Sequence, residues 1–402
     1  MFSNVPIDLI LALVLAAAAG WFGSQIFRRA AANTGTRPRT EPFSTQYFAG
    51  LNHLLNEQPD KALEVLRGLA EADAGTVETQ LALGHLYRRR GEVDRAIRVH
   101  ESVMQRADLP SLLREQAEFA LGEDYLKAGL LDRAENYFQQ LIERPAHRSM
   151  ALRNLLNIYE QQGDWHQAIA TFQRLAEFSS PEHPTALAHY YCELADQAQR
   201  EGQATQAGEW LDKAFAVQRN FPRGSLLRAG LALAHADART AALLCKRVIE
   251  LHPHLLPIVL PRYIQALRAF AANMDSVDES LSLHTTEPAQ RAALGYAAIA
   301  ANVFDEPYLL QCLPDFLRQD ANLGDMVMAL AGEPVVLDEV RLGAIASALS
   351  KIFRRTQRYR CVSCGVNTGS HFWQCPGCHS WDTLAPVSRL ELAPVSRRNP
   401  QG

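Results

Sequence analysis

Two kinds of hydrophobic pattern divide the chain. The first is continuous. Residues 5–27, VPIDLILALVLAAAAGWFGSQIF, contain a run from Leu9 to Gly23 with no charged side chain, and the flanking residues extend it. Together they reach the roughly 20 residues that a bilayer core requires of a helix. Asp8 stands at one end, where it can reach headgroups, and Trp21 and Phe22 suit the opposite interface. Arg28, Arg29, Arg37 and Arg39 follow, whereas residues 1–8 carry no Lys or Arg. The positive-inside rule therefore predicts a single-pass anchor over 1–27, with the N-terminus outside and the bulk of the chain on the cytoplasmic side. A cleaved signal peptide would carry its basic residues ahead of the apolar core, and here they lie behind it. Residues 28–42 read as a short linker.

The second pattern is amphipathic with a helical period, and it repeats. Five segments align: 47–66, 81–100, 120–138, 155–172 and 194–211. A small residue near the start of each second helix falls at Ala62, Ala96, Ala134, Ala168 and Ala207, and a sixth at Ala241. These lie 34, 38, 34, 39 and 34 residues apart. Thirty-four is the tetratricopeptide period, and the longer steps imply short insertions. Twelve positions before the alanine stands Gly50, Gly84, Gly122 or Ala195, with Leu156 the exception. Nine before stands Tyr87, Tyr125 or Tyr159; five before stands Gly91, Gly129, Gly163 or Gly202. Small residues let the two helices approach, the tyrosine fills the space between them, and the glycine ends the first helix in a left-handed cap. Tyr87, Tyr125, Tyr159, Trp165 and Trp210 are expected to pack within or between repeats.

Beyond about residue 250 the pattern fades. Segments 255–270, 291–304 and 340–353 remain amphipathic, and Pro253, Pro257, Pro261, Pro307 and Pro314 are expected at helix starts or ends. The predicted fold is mainly α: an N-terminal transmembrane helix, then a tetratricopeptide-repeat α-solenoid over 43–350, divergent in 250–350. A small four-cysteine metal knuckle over 351–386 and a flexible tail over 387–402 complete it. Such arrays bind peptide segments or partner domains on a concave face.

The knuckle carries the chemistry. Cys361, Cys364, Cys375 and Cys378 form C-x₂-C-x₁₀-C-x₂-C, two turns that offer four thiolates to one tetrahedral ion, Zn²⁺ or Fe. Gly365 follows the first pair, and Pro376 and Gly377 shape the second turn. A domain this small lacks the apolar surface to fold alone, so metal binding would supply its folding free energy. Four ligands close a structural site and leave no position for substrate. Tyr359, Phe372, Trp373 and Trp381 surround it, as a miniature core or as a docking face for the array or a partner. The basic run Lys351, Arg354, Arg355, Arg358 and Arg360 reads as a solvated helix end, or else as a contact for anionic lipid or an acidic partner.

Other features narrow the reading further. The formal net charge is −4, so no global basic field argues for nucleic acid. Cys192, Cys245 and Cys312 stand alone in helical sequence and are expected as small core residues in a reducing compartment. No phosphate-binding glycine loop, dinucleotide fingerprint, H-E-x-x-H or G-x-S-x-G occurs. No catalytic residue and no enzymatic activity are expected.

The stretches GEVDRAIRVH (91–100), AHYYCELA (188–195), RYRCVSCG (358–365) and WQCPGCHSW (373–381), in this order behind an anchor, resemble the lipopolysaccharide assembly protein B family of Gram-negative bacteria. The resemblance runs from the anchor to about residue 386 and departs most in 250–350. It implies an inner-membrane protein with a cytoplasmic repeat array and a rubredoxin-like metal domain whose ligands are Cys361, Cys364, Cys375 and Cys378. It also implies an adaptor that promotes degradation of the lipid A deacetylase LpxC by the membrane protease FtsH and gathers other lipopolysaccharide-synthesis proteins. Self-association into a homo-oligomer is left open. Two rival functions remain: electron transfer at a rubredoxin-like iron, and a nucleic-acid-binding zinc ribbon.

Overall fold

The structure, a computed structural model, describes residues 76–178, 185–272, 279–319 apart from 304, and 357–387, with scattered positions of a helix between 60 and 68. The expected anchor, linker, Gly50, Ala62, the array beyond 319 and the tail lie outside the described residues. Among the described residues no helix is long and apolar enough to cross a membrane. The chain divides into two compact units, 1–137 and 138–402.

In the first unit, helices α1 (Val77–Arg89), α2 (Val93–Met104) and α3 (Ser111–Lys127) are followed by α4 (Leu131–Leu141), which contributes residues to both units. Thr76 caps α1, its hydroxyl accepting from the Thr79 N–H at 3.4 Å. Glu78 in the first turn and Arg88 and Arg89 in the last complement the helix dipole. Gly91 and Gly129 take positive φ, 79° and 75°, and the next N–H reaches back to a tyrosine carbonyl: Glu92 to Tyr87 and Leu130 to Tyr125, each at 2.9 Å. Gly84 is where α1 and α2 come closest: a Cβ there would lie 2.2 Å from His100 Nε2. His100 and Asp124, both fully buried, bond to each other, and Arg88 donates to Asp124 at 2.6 Å.

The second unit holds α5 (Arg148–Gln162), α6 (Trp165–Phe178), α7 (Ala186–Arg200), α8 (Ala204–Val217), α9 (Pro222–Ala234), α10 (Ala238–Leu251), α11 (Leu256–Ala271), α12 (Pro288–Ala301) and α13 (Pro307–Gln319). Ala96, Ala134, Ala168, Ala207 and Ala241 are all 0% exposed, which fits their role at the helix crossings. Cys192, Cys245 and Cys312 are buried core residues, as expected.

Two features of the repeat escape its sequence signature. Ala236 and Asn302 adopt φ 60° and 57° at the ends of α9 and α12, the left-handed cap that glycine supplies elsewhere. Asp237 and Val303 then donate back to Ala232 and Ala298 at 2.8 and 2.9 Å. The turn persists where its glycine is lost, at a cost of about 1–2 kcal/mol for the alanine. The proline expectation also needs correction. Pro253 opens a 3₁₀ turn, and Pro257 and Pro307 stand in first helical turns, but Pro261 and Pro314 lie inside α11 and α13. Both rings are exposed. Each removes one backbone bond, but packing holds the helix: around Pro314, Leu309, Cys312 and Phe316 stay buried.

The knuckle is a three-stranded antiparallel sheet, β1 (Tyr359–Cys361), β2 (Asn367–Thr368) and β3 (Leu384–Pro386), in the order β2-β1-β3. Tyr359 pairs with Thr368 on one side, and Cys361 with Leu384 on the other.

Gly84→Ala forces the His100 ring away from α1 and disturbs its bond to Asp124. Overpacking of this kind costs about 1–3 kcal/mol. Urea unfolding of the purified chain should show the midpoint of the repeat array falling accordingly, and an unchanged midpoint would refute the close approach.

Candidate metal centre

The two cysteine turns are built alike. Cys361 ends β1, its N–H donating to Val366 O at 2.8 Å, and Gly365, at φ 77°, closes the turn by donating to Cys361 O at 2.9 Å. In the second turn Cys375 N–H donates to Ser380 O, and His379 N–H returns to Cys375 O, each at 2.9 Å. The chain must pass close at Gly377, where a Cβ would meet Val366 Cγ2 at 2.7 Å. The turns face each other and bring all four sulfurs within 4.8 Å of one another. Cys361 and Cys378 Sγ lie 3.7 Å apart, as do Cys364 and Cys375 Sγ. A tetrahedral ion with metal–sulfur bonds of about 2.3 Å requires an edge of about 3.8 Å, so the sulfurs stand where four ligands of one ion would. A disulfide would need about 2.05 Å.

The surroundings favour thiolate. Cys364 N–H lies 3.5 Å from Cys361 Sγ, Gly377 N–H 3.4 Å from Cys375 Sγ, and Thr383 Oγ1 3.3 Å from Cys361 Sγ. Burial opposes ionisation of Cys361, but the Thr383 hydroxyl and the backbone amides of Cys364 and Ser363 outweigh it and bring the thiol down to about 5. The Ser380 hydroxyl and amide lower Cys378. At Cys364 the Val366 amide favours the thiolate, yet desolvation and the three neighbouring sulfurs push the thiol up to about 12. Four negative sulfurs this close cannot all ionise without a cation among them. The donor set therefore fits one metal ion held by Cys361, Cys364, Cys375 and Cys378.

The knuckle is seated on the repeat array through Trp373 and Trp381, the docking alternative expected for them, while Glu160 and His189 on the array side carried no signal in the sequence pattern. Trp381, 7% exposed, stacks on the His189 ring of α7 with centroids 4.4 Å apart. Its Nε1–H donates to Glu160 Oε1 of α5 at 3.2 Å. Gln374 donates to Oε2 of the same carboxylate at 3.3 Å, and the Tyr190 hydroxyl, like Trp381, donates to Oε1. His189 Nε2 bonds Asp382 at 2.8 Å. Trp165 meets Trp381 edge to face at 6.4 Å, so it serves this seat as well as repeat packing. Trp373 packs against the core formed by α9 to α13. Tyr359 is buried with Cys361, Cys375 and Leu384 in the knuckle's own core, where Ile258 of α11 joins them. Of the four aromatic residues around the centre, only Phe372 stays exposed. Arg358 corrects the expectation of a solvated basic run: it donates to Gly369 O at 2.9 Å and to the Ala300 carbonyl of α12. Lys351, Arg354 and Arg355 lie outside the described residues. A cleft of about 490 Å³ opens beside Trp373, lined among others by Asp196, Arg223, Leu226, Arg262 and Gln265.

Comparison with known proteins bears on the whole chain. Residues 359–386 match the family described as rubredoxin metal binding domain, and residues 81–114 and 119–184 match tetratricopeptide repeats. The chain is 32% identical to lipopolysaccharide assembly protein B of Escherichia coli K12, over 95% of its own length and 98% of the relative's. It is 29% identical to the protein of that name from Haemophilus influenzae, with the same two coverages. A tetratricopeptide-repeat structure from Cytophaga hutchinsonii aligns over 66% of this chain and 99% of its own, at 15% identity and TM-score 0.44.

Glu160→Ala leaves the Trp381 and Tyr190 donors without their acceptor, at about 1–3 kcal/mol for each buried donor left unpaired, while Gln374 keeps its bond to His379 O. Hydrogen exchange should speed up across 357–387 while α9 and α10 keep their protection; unchanged exchange would remove Glu160 from the seat. The seat is also expected to depend on pH. Burial lowers the pKa of His189, and the bond to Asp382 only partly restores it. Docking therefore favours the neutral ring, which gains a proton more readily on release below its ordinary 6.5. Docking should hold above 6.5 and weaken as pH falls below it, read as exchange at 357–387 corrected for its intrinsic pH dependence.

Proposed function

The chain belongs to the lipopolysaccharide assembly protein B family, and we propose that it is a non-enzymatic adaptor in the control of lipopolysaccharide synthesis at the bacterial inner membrane. The observation that carries this reading is similarity to relatives of that name along 95% of the chain. Four sulfurs converging on one point support a structural metal with no open position for a substrate. The ion is Zn²⁺ or Fe. The seat supports a single binding platform in which the knuckle fixes one stretch of the array.

In this reading residues 5–27 hold the chain in the membrane plane with its bulk in the cytoplasm. The array and knuckle present an LpxC-type deacetylase to an FtsH-type membrane protease and assemble other lipopolysaccharide-synthesis proteins beside them. Confinement to a plane raises effective concentration, so weak contacts suffice. Nucleic acid has no part in it. One observation favours a second reading, electron transfer at a rubredoxin-like iron: Cys364 is an exposed residue, where an electron could enter. Stoichiometric zinc in a colourless protein would exclude it.

Depleting the protein in its own bacterium should lengthen the half-life of the deacetylase, followed by immunoblot after protein synthesis is stopped. An unchanged half-life would remove the proteolytic role. The double variant Cys361→Ser, Cys364→Ser should lose the metal and the regulation yet still fractionate with the membrane; regulation retained by a metal-free variant would sink the part assigned to the knuckle.

A further inference from the structure

The four sulfurs are not equally shielded. Cys361 and Cys375 are buried and Cys378 is half-buried, but Cys364 is exposed. The whole turn from 362 to 365 faces solvent, with Val362 76% exposed. Cys375 Sγ lies 3.7 Å from Cys364 Sγ on the opposite turn, and the other two sulfurs lie within 4.8 Å. The groups that seat the knuckle are concentrated around the second turn: Trp373 and Gln374 immediately precede Cys375, and Trp381 and Asp382 follow Cys378 closely.

We propose that Cys364 is a site of oxidative modification by a peroxide, and that its conversion to a disulfide with Cys375 expels the metal and frees the knuckle from the array. The Cys364 thiolate attacks one oxygen of the peroxide; the O–O bond breaks, hydroxide leaves, and the sulfur becomes a sulfenic acid, oxidised by two electrons. The Cys375 thiolate then attacks that sulfur and releases a second hydroxide. In sum, two thiolates and one hydrogen peroxide give one disulfide and two hydroxides. Two sulfurs remain, too few to close the site. Drawing Cys375 towards Cys364 from 3.7 Å to bonding distance also displaces the turn whose flanks hold Glu160 and His189. A cation among the sulfurs would hold all four as thiolates, Cys364 included, so access decides which reacts, and the reaction begins at the open turn.

The test uses the full chain, purified in detergent and loaded with zinc. It is treated with hydrogen peroxide in the presence of a zinc-binding dye, with disulfides mapped by mass spectrometry and limited proteolysis run in parallel. Stoichiometric zinc loss, a first disulfide joining Cys364 to Cys375, and new cleavage within 357–387 are expected. All three should be reversed by dithiothreitol and added zinc. A first disulfide that omits Cys364 or joins it to Cys361, zinc retained while the same peroxide inactivates a thiolate-dependent control enzyme, or zinc lost with no change in cleavage would each overturn the proposal. Cys364→Ser should slow release if it still binds zinc; mapping on the unaltered chain decides the matter if it does not.

Discussion

A sheet of strands no longer than three residues cannot hold itself together by burial, and the rest of the knuckle depends on how that is resolved. Convergence of four sulfurs resolves it. The backbone turns at Gly365 and Gly377 bring the sulfurs to the spacing of a tetrahedral edge, and a cation there would supply what the small core of Tyr359, Cys361, Cys375 and Leu384 does not. Much of what reaches the array does so from this framework, with Arg358 ahead of it bonding the Ala300 carbonyl. Trp373, Gln374, Trp381 and Asp382 are placed by the second turn, so the site's chemistry and the platform's shape are one property.

On the array side the constraint is different. Helix pairs close through residues with almost no side chain, and the alanines at 96, 134, 168, 207 and 241 are fully buried. Two carboxylates enter this packing with several partners each. In the first unit Asp124 is matched by Arg88 and His100. In the second, Glu160 receives donors from Tyr190, Gln374 and Trp381. Such networks contribute little net stability over an apolar alternative but are costly when half broken, which makes them selective for one arrangement. Glu160 acts this way between segments more than 200 residues apart in sequence.

The sequence by itself determined what depends on local and periodic chemistry. The cysteine spacing named the four sulfurs, the alanine period located the helix crossings, and the glycines located the left-handed caps, because each is a requirement on a single residue type at a fixed offset. Where another residue meets the same requirement the signature is silent: Ala236 and Asn302 hold the cap without glycine, and Pro261 and Pro314 sit inside helices that packing keeps intact. Only the tertiary structure decided which face the knuckle covers. Nothing in the local sequence of Glu160, His189 or Arg358 separates it from an ordinary helix-surface or linker residue; its role comes from atoms brought to it from far along the chain. The stretch AHYYCELA held part of the signal, since it packs two tyrosines and a histidine into one turn, but its target, the Trp381 ring, lies 192 positions beyond His189. Periodicity reports the face a helix turns inward, whereas docking depends on the shape and charge of two surfaces together, and that complementarity exists only once both have folded.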